Sequence, residues 1–165
     1  MLLTTTGSVA PGSERRSPEI CNPALASLYD LWSCKRGDRV APARADFDLA
    51  DLRPWFGHLM LLDVTEDGRD MRFRLYGTAL VGIFGFDLTG RMVSDATPLI
   101  GERPLQEYRD VAARICPSYV SRMSPSLREY LAVDKLALPL VENGRVNKIL
   151  GAIYLSPRES RRATG

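Results

Sequence analysis

The segment FRLYGTALVGIFGFDLTGR, from Phe73 to Arg91, decides how this chain folds. Apolar and polar residues alternate from Met71, two residues before this segment, to Tyr76 within it, which is the period of a strand with one buried face. Gly77 lets the backbone turn tightly, and Ala79 to Phe84 are enough for about a turn and a half of helix. Gly85 can adopt the left-handed conformation that ends it. The segment therefore predicts a strand followed by a very short helix.

A helix this short across the mouth of a sheet leaves space beneath it, so we expect a ligand-sized pocket there. The candidates to line the pocket share an apolar or aromatic side chain in segments predicted to face it, and they are Phe73, Leu75, Val81, Phe84, Tyr108, Ile115 and Tyr130. Tyr108 is the most informative, because a phenol on an apolar helix face needs a partner and could offer its hydroxyl to a ligand.

The rest of the chain gives further elements from periodicity and turn signals. Residues 93–101 are predicted to be irregular. Asn143-Gly144 between apolar runs is a strong hairpin signal. The predicted elements are a helix from Asn22 to Gly37, a strand from His58 to Val64, a helix from Pro104 to Cys116, and strands Ser118 to Met123, Leu127 to Leu140 and Val146 to Leu155. This order is one helix, two strands, a helical crossover and three strands.

The first helix carries one apolar stripe, formed by Leu25, Leu28, Tyr29 and Trp32 at helical spacing. Such a stripe either covers one side of its own domain or pairs with the same stripe of a second subunit. We prefer the covering role and keep a homodimer as the alternative.

Length and composition favour one domain with a sizeable core, because the chain has 165 residues and is 45% hydrophobic. We assign this domain to residues 22–155, a disordered tail to residues 1–21 and a basic polar tail to residues 156–165. The net charge of +2 comes from interspersed charges, so no nucleic-acid partner is expected. No signal peptide or membrane-spanning run is visible, so we expect a cytoplasmic protein without a membrane partner.

The motifs of common catalytic and metal sites are absent from the sequence. Cys21, Cys34 and Cys116 lack CxxC spacing and a nearby histidine cluster, so no metal site is predicted. There is no GxSxG, HExxH or phosphate-binding loop, and the chain has one histidine. We therefore expect that the protein is not an enzyme and assign no catalytic residue.

Three polar residues each allow two interpretations. His58 could act as a pH-sensitive group or bind a ligand, but a satisfied histidine at a strand end is the preferred interpretation. Arg72 and Arg74 could bind an anionic ligand or partner through paired hydrogen bonds. A solvated sheet face with cross-strand pairs to carboxylates is preferred for both.

Several spaced motifs, in this order along the chain, resemble a bacterial PAS-domain subfamily between roughly Leu25 and Leu155. They are Leu28-Tyr29-Asp30-Leu31-Trp32, Ala45-Asp46-Phe47-Asp48, His58 to Val64, Phe73-Arg74-Leu75, Gly77-Thr78-Ala79-Leu80, Asp87-Leu88-Thr89-Gly90, Leu138-Pro139-Leu140 and Ile149-Leu150-Gly151. The resemblance implies an α+β fold, in which a five-stranded antiparallel sheet has the helical crossover packed over one face and a cavity between them. It also implies a role in signal transduction.

The chain departs from that subfamily where an aromatic, an acid and an arginine tend to precede the Pro-Leu strand. It has Val133, Asp134 and Lys135 there, which puts a role for position 133 in doubt. Among PAS cofactors, haem is not expected, because the segment from Leu99 to Cys116 has no histidine to bind the iron. Flavin photochemistry is not expected either, since the chain lacks an Asn-Cys-Arg-Phe segment.

The sequence thus predicts a PAS-type sensory module that binds a small molecule or a signalling partner, such as a histidine kinase, and transmits a change of conformation. A ligand-free interaction adaptor is the alternative, and a small cavity-containing enzyme is a third possibility. The ligand, the partner, the oligomeric state and the direction of regulation are not specified by the sequence.

Overall fold

The computed structural model describes residues 18–123 and 132–156. Its helices are α1 (Pro23–Arg36), α2 (Leu49–Leu52), α3 (Thr78–Phe84), α4 (Val93–Ile100) and α5 (Arg103–Arg114), and 3-10 turns span Arg44–Asp46 and Arg53–Trp55. Its strands are β1 (Leu59–Val64), β2 (Met71–Tyr76), β3 (Ser118–Met123), β4 (Ala132–Glu142) and β5 (Arg145–Leu155).

All five strands form one antiparallel sheet in the order β2-β1-β5-β4-β3. The β1–β2 and β4–β5 pairs are hairpins. In the second hairpin, Asn143 and Gly144 have φ values of 52° and 78°, the left-handed pair that a tight two-residue turn requires. The predicted α+β class and antiparallel sheet are confirmed.

Both faces of the sheet are covered, and each cover has its own apolar core. On one face, the crossover α3–α5 packs through residues such as Leu80, Ala96 and Val111. On the other face, α1 packs against leucines of β4. These leucines alternate along the strand with residues whose side chains point towards the crossover. The sheet is therefore the middle layer of three, which explains why eight consecutive residues of β4 are buried.

Helix α1 begins at the Asn22 cap, whose side chain accepts from the backbone amide of Ala24 at 3.1 Å. Leu25, Leu28 and Trp32 are all buried within the single chain. The Trp32 indole donates to the carbonyl oxygen of Pro139 at 3.0 Å, which fixes the helix on β4. Three of the four residues of the stripe thus cover the sheet, and Tyr29 is partly buried beside Trp32, with ring centroids 5.8 Å apart.

The expected alternation of β2 is wrong at its end. A bulge shifts the β1–β2 register, so that Leu61 pairs with Leu75 but the next residue, Leu62, pairs with Phe73. The extra residue is Arg74, and it reverses which face the following side chains occupy. Leu75 consequently lies on the face of the sheet that α1 partly covers, which we call the outer face, and it is 47% exposed there. Tyr76, in contrast, is buried on the crossover face.

Residues 93–100 form α4, although we predicted that residues 93–101 are irregular, and Pro98 lies within this helix. A proline removes one backbone donor, which here would have bonded to the carbonyl oxygen of Ser94. The Thr97 hydroxyl donates to that oxygen at 3.0 Å instead. The side chain of the preceding residue therefore satisfies the carbonyl that the proline leaves free, and the helix continues.

Gly77 is needed for a different reason from the tight turn that we predicted. Its φ of −62° and ψ of 149° are extended backbone, open to any residue. A Cβ added to it, however, would lie 2.0 Å from the Gly57 carbonyl oxygen. The Gly77 amide also donates to the carbonyl oxygen of Leu59 at 2.9 Å, so the start of α3 is fixed directly on β1.

Several predictions concern residues outside the described ranges. They are most of the two tails, the start of the strand predicted from Leu127, and the pocket candidate Tyr130. Within residues 18–123 and 132–156, no helix is both long and apolar enough to cross a membrane.

Candidate functional site

A cavity of about 70 Å³ lies between the sheet and the crossover helices. Every strand and three of the helices or their flanking loops contribute to its wall. Its lining residues are Met60, Phe73, Tyr76, Phe84, Leu88, Ile100, Pro104, Tyr108, Val120, Arg122, Val133, Lys135 and Ile153. A molecule bound here would contact both layers of the fold at once.

Six of the seven pocket candidates lie within the described residues, and they divide into three groups. Phe73, Phe84 and Tyr108 line the cavity. Val81 and Ile115 pack against the core on that side of the sheet but are not part of the cavity wall. Leu75 lies on the opposite face because of the β2 bulge, and its predicted place in the wall is wrong.

One end of the cavity is charged, although its other walls are apolar. Lys135 on β4 is buried, and its Nζ lies 2.5 Å from Oε2 of Glu107 on α5. The Arg122 guanidinium on β3 forms an ion pair with Oε1 of the same carboxylate. Glu107 therefore links α5 to both strands, and two cations share one acid.

Burial strongly influences the charge of Lys135. It lowers the pKa of the ammonium group to about 8, while Glu107 acts in the opposite direction and Arg122 lowers the pKa further. Near neutral pH Lys135 is therefore mostly protonated, and the cluster of Lys135, Arg122 and Glu107 has one net positive charge. We call these three residues the charged triad.

Two phenols lie in the same wall. The Lys135 Nζ is 4.7 Å from the centroid of the Tyr108 ring, a cation–π arrangement. The ring of Tyr76 meets that of Phe73 edge-on, with centroids 5.7 Å apart. Burial raises the pKa of both tyrosines, so both hydroxyls remain protonated. Among the described residues, no hydrogen-bond partner is found for either hydroxyl.

Sequence reasoning found Tyr108 but missed the charged triad and Tyr76. Alternation along β2 placed Tyr76 on the polar face, because a bulge gives no clear sequence signal. The departure from the resembled subfamily at positions 133–135 was a usable signal for the cavity. Val133 lines the cavity and Lys135 forms its charged end, whereas Asp134 faces α1 and accepts from the Asn22 amide at 3.2 Å.

The three polar candidates lie away from the cavity. His58 stacks on Tyr154 with ring centroids 3.9 Å apart, and its Nδ1 is 2.9 Å from the Ile153 carbonyl oxygen, to which it donates in the Nδ1-protonated form. Arg74 forms an ion pair with Asp63 at 3.2 Å on the outer face. Arg72 donates to the Gly90 carbonyl oxygen at 2.9 Å.

A second, open depression lies on the outer face beside β1 and β2. Its volume is about 450 Å³, and its wall includes Arg44, Leu49, Phe56 and Leu75. The last three are among the most exposed large apolar side chains that the structure describes, at 67%, 52% and 47%. We call this feature the outer groove.

Metal or thiol chemistry is not supported by the positions of the described residues. No group of three or more histidine, cysteine or acidic residues among them could hold a metal ion. Cys21 and Cys34 are exposed, Cys116 is partly buried, and none of them lines the cavity.

The size of the cavity limits what it can hold in this conformation. An engineered apolar cavity that accepts benzene has about 150 Å³, roughly twice the volume found here. The ring systems of haem and flavin are much larger than benzene. In this conformation the cavity is therefore smaller than the ring system of either cofactor.

Comparisons with known proteins agree with this fold. A search of curated proteins finds no match. A solved structure from work on a flavin analogue and the mechanism of a light-oxygen-voltage domain matches with a TM-score of 0.50 and 12% sequence identity. The match covers 70% of this chain and 89% of that one, and at this identity it shows the fold alone. The PAS domain family matches residues 20–154, so this chain belongs to the PAS domain family.

Proposed function

We propose that this protein is a sensory PAS module in which the cavity binds a small molecule and the resulting change of conformation passes to a signalling protein, such as a histidine kinase. The observation that carries the proposal is Tyr108. Its ring is 2% exposed and forms part of the cavity wall, and its hydroxyl lacks a partner among the described residues. A phenol in the wall of a cavity can donate its hydroxyl to a bound ligand, and Tyr108 is therefore well placed to recognise one.

A ligand can shift the conformation only if it binds one arrangement better than another. The cavity wall joins α5 to strands β1 through β5, so any molecule that changes its size also changes the distance between α5 and the sheet. Helix α5 is held to β3 and β4 by the charged triad. We therefore expect α5 to be the element that moves.

Native mass spectrometry of protein purified from the organism that encodes it tests this proposal. We expect a defined small molecule on the wild-type protein and none on Val133→Phe, since an aromatic ring at this buried position fills the cavity. Phenylalanine suits this strand, because the PAS subfamily that the sequence resembles tends to carry an aromatic residue at this position. Val40→Phe is the matched control at an exposed site, and it should keep the molecule. A wild-type protein without any small molecule would contradict the proposal.

PAS domains are typically sensory, and we propose that this module acts in the cytoplasm without catalytic activity of its own. In the small-enzyme alternative the candidates for proton transfer are Lys135 in the cavity wall and His58, the chain's one histidine. Its ring is held by Tyr154 and the Ile153 carbonyl instead of facing the cavity. Turnover on a metabolite panel that disappears in His58→Ala would favour the enzyme.

The outer groove favours a second candidate function, in which the protein is an interaction adaptor. Arg44 lies in the groove wall, and Arg74 beside it is 66% exposed. The occupant that fits is a partner segment with apolar side chains and a carboxylate, because such a segment complements both the leucines and the cations.

Cross-linking in the native cell followed by purification tests the adaptor function. Phe56→Ser should release a partner that docks in the outer groove, whereas Met123→Ser, at an exposed site on β3, should retain it. A partner retained equally by both variants would contradict docking in this groove. If Phe56→Ser also leaves the cavity ligand in place, sensing and docking use different faces.

A further inference from the structure

The polar side chains in the cavity wall all donate hydrogen bonds. Lys135 and Arg122 are cations, and Tyr76 and Tyr108 present protonated hydroxyls. The other lining side chains are hydrocarbon, thioether or proline. Glu107, the one acid of the charged triad, is not part of the wall. Among the residues that the structure describes, the wall therefore offers donors and positive charge to a molecule inside the cavity, and none of them presents a carboxylate or carbonyl side chain that would accept from it.

The charged triad also has two positive charges and only one negative charge. One carboxylate oxygen of Glu107 pairs with Lys135 and the other pairs with Arg122, so the two cations share a single negative charge. Lys135 is buried and the Arg122 side chain is 23% exposed, and among the described residues Glu107 is the one acid that pairs with either of them. An anion entering the cavity would complete the charge balance at this end.

The volume and the walls limit the rest of the ligand. The cavity of about 70 Å³ is roughly half the size of an engineered cavity that accepts benzene, and is therefore suited to a small group of atoms. Phe73, Leu88 and Ile153 provide apolar surface away from the triad. A short alkyl chain matches this surface, whereas a second charged group would lie against hydrocarbon at a high cost.

From this geometry we propose that the cavity recognises a short-chain monocarboxylate, whose anionic group binds Lys135 and Arg122 in place of Glu107. This inference rests on the proposed sensory function and specifies its ligand. Tyr76 and Tyr108 donate to the same carboxylate. The alkyl chain lies among the apolar residues of the wall.

The exchange of carboxylates supplies a conformational signal. Glu107 is 17% exposed, so it can turn towards solvent once a ligand occupies its cations. Helix α5 then loses the ion pairs that join it to β3 and β4. The ligand itself is bound mainly by the strands, which leaves α5 free to move relative to the sheet.

A titration followed by ¹H–¹⁵N NMR tests this ligand class, with propionate as the probe and propionamide as its neutral analogue. We expect saturable shifts at β3, β4 and α5 with propionate and at least tenfold weaker binding of propionamide, because the amide lacks the charge. Equal binding of the two compounds, or shifts confined to the outer groove, would overturn the proposal. Absence of saturable binding by the wild-type protein would overturn it as well.

Two substitutions in the triad should act in opposite directions. Lys135→Met should weaken propionate binding at least tenfold, since a charge-assisted contact is lost. Glu107→Gln should strengthen it about fivefold, because the internal competitor no longer carries a charge. If the charged triad has only a structural role, both variants should be less stable than the wild type and neither should bind propionate more tightly. Weaker binding by Glu107→Gln would therefore contradict the exchange.

The outer face offers matched controls, because Lys148 forms an ion pair with Asp63 at 2.5 Å. Lys148→Met and Asp63→Asn make the same chemical changes away from the cavity and should leave propionate binding unchanged. If Lys135→Met fails to fold in a melting experiment, Arg122→Gln replaces it, with the same expected weakening. A neutral host-derived molecule that Lys135→Met still retains would refute the carboxylate while leaving the sensory function intact.

Discussion

Gly77 lies so close to Gly57 that a Cβ on Gly77 would be 2.0 Å from the Gly57 carbonyl oxygen. This approach fixes the start of α3 beside β1, and α3 in turn forms part of the roof of the cavity. The backbone of Gly57 cannot move away easily, because its carbonyl oxygen also accepts from the amide of Ala79 at 2.9 Å.

We predict that Gly77→Ala lowers the free energy of unfolding by more than about 2 kcal/mol, because the methyl group forces two backbone segments apart. Gly82→Ala is the matched control. It lies on the exposed side of α3 with open space around it, and should raise the free energy of unfolding by about 0.5–1 kcal/mol. Urea denaturation of the two variants measures both values, and equal effects would contradict the close approach.

A second prediction tests whether α1 covers the sheet of its own domain. Leu28→Ala should lower the free energy of unfolding by about 2–5 kcal/mol, because Leu28 is fully buried between α1 and the sheet. Leu49→Ala, at a leucine that is 67% exposed, should change it by less than about 0.5 kcal/mol. The loss in Leu28→Ala should not depend on protein concentration. A midpoint that rises with concentration would indicate that the stripe of α1 contributes to a dimer instead.

The third prediction is a pH dependence from Lys135, which faces Glu107, Arg122 and the ring of Tyr108. Its pKa is lowered from 10.5 to about 8 in the folded protein. The unfolded state therefore binds more protons between these values, and stability rises with pH across this range. From about pH 7 to about pH 9.5 the wild type should gain about 2 kcal/mol relative to Lys135→Met.

Denaturation of both proteins at several pH values measures this difference. The comparison cancels the contributions of other titrating groups that the two proteins share. A constant difference across the range, or a wild type that loses stability relative to Lys135→Met as the pH rises, would show that Lys135 has an ordinary pKa. Propionate binding should weaken over the same range, because the ammonium group loses its charge.

Much of the fold follows from the sequence because its signals are local. The Asn143-Gly144 turn needs left-handed backbone, and the stripe of α1 has the helical period. The α4 helix and the end of β2 were mispredicted for a common reason. A threonine hydroxyl compensates for Pro98, and a bulge at Arg74 reverses the faces of the following residues. Both depend on contacts with particular neighbours that periodicity does not encode.

The candidate site was predicted less well than the fold. Phe73, Phe84 and Tyr108 were identified because they lie on apolar faces, and they form part of the cavity wall. The charged triad joins residues from α5, β3 and β4 that are distant in sequence. Charged residues are usually solvated, so apart from the departure at positions 133–135 nothing local distinguishes Lys135 from an exposed lysine. Its burial follows only from its position on a strand covered on both faces.

The proposed sensory function and its ligand class both require that the space between the sheet and α5 is a ligand site. The most direct test is an experimental structure of the protein purified from the organism that encodes it. We predict density for a small molecule bounded by Phe73, Tyr108 and Lys135, with its polar group at the charged triad. A cavity closed by side chains, or a molecule bound instead in the outer groove, would contradict the claim.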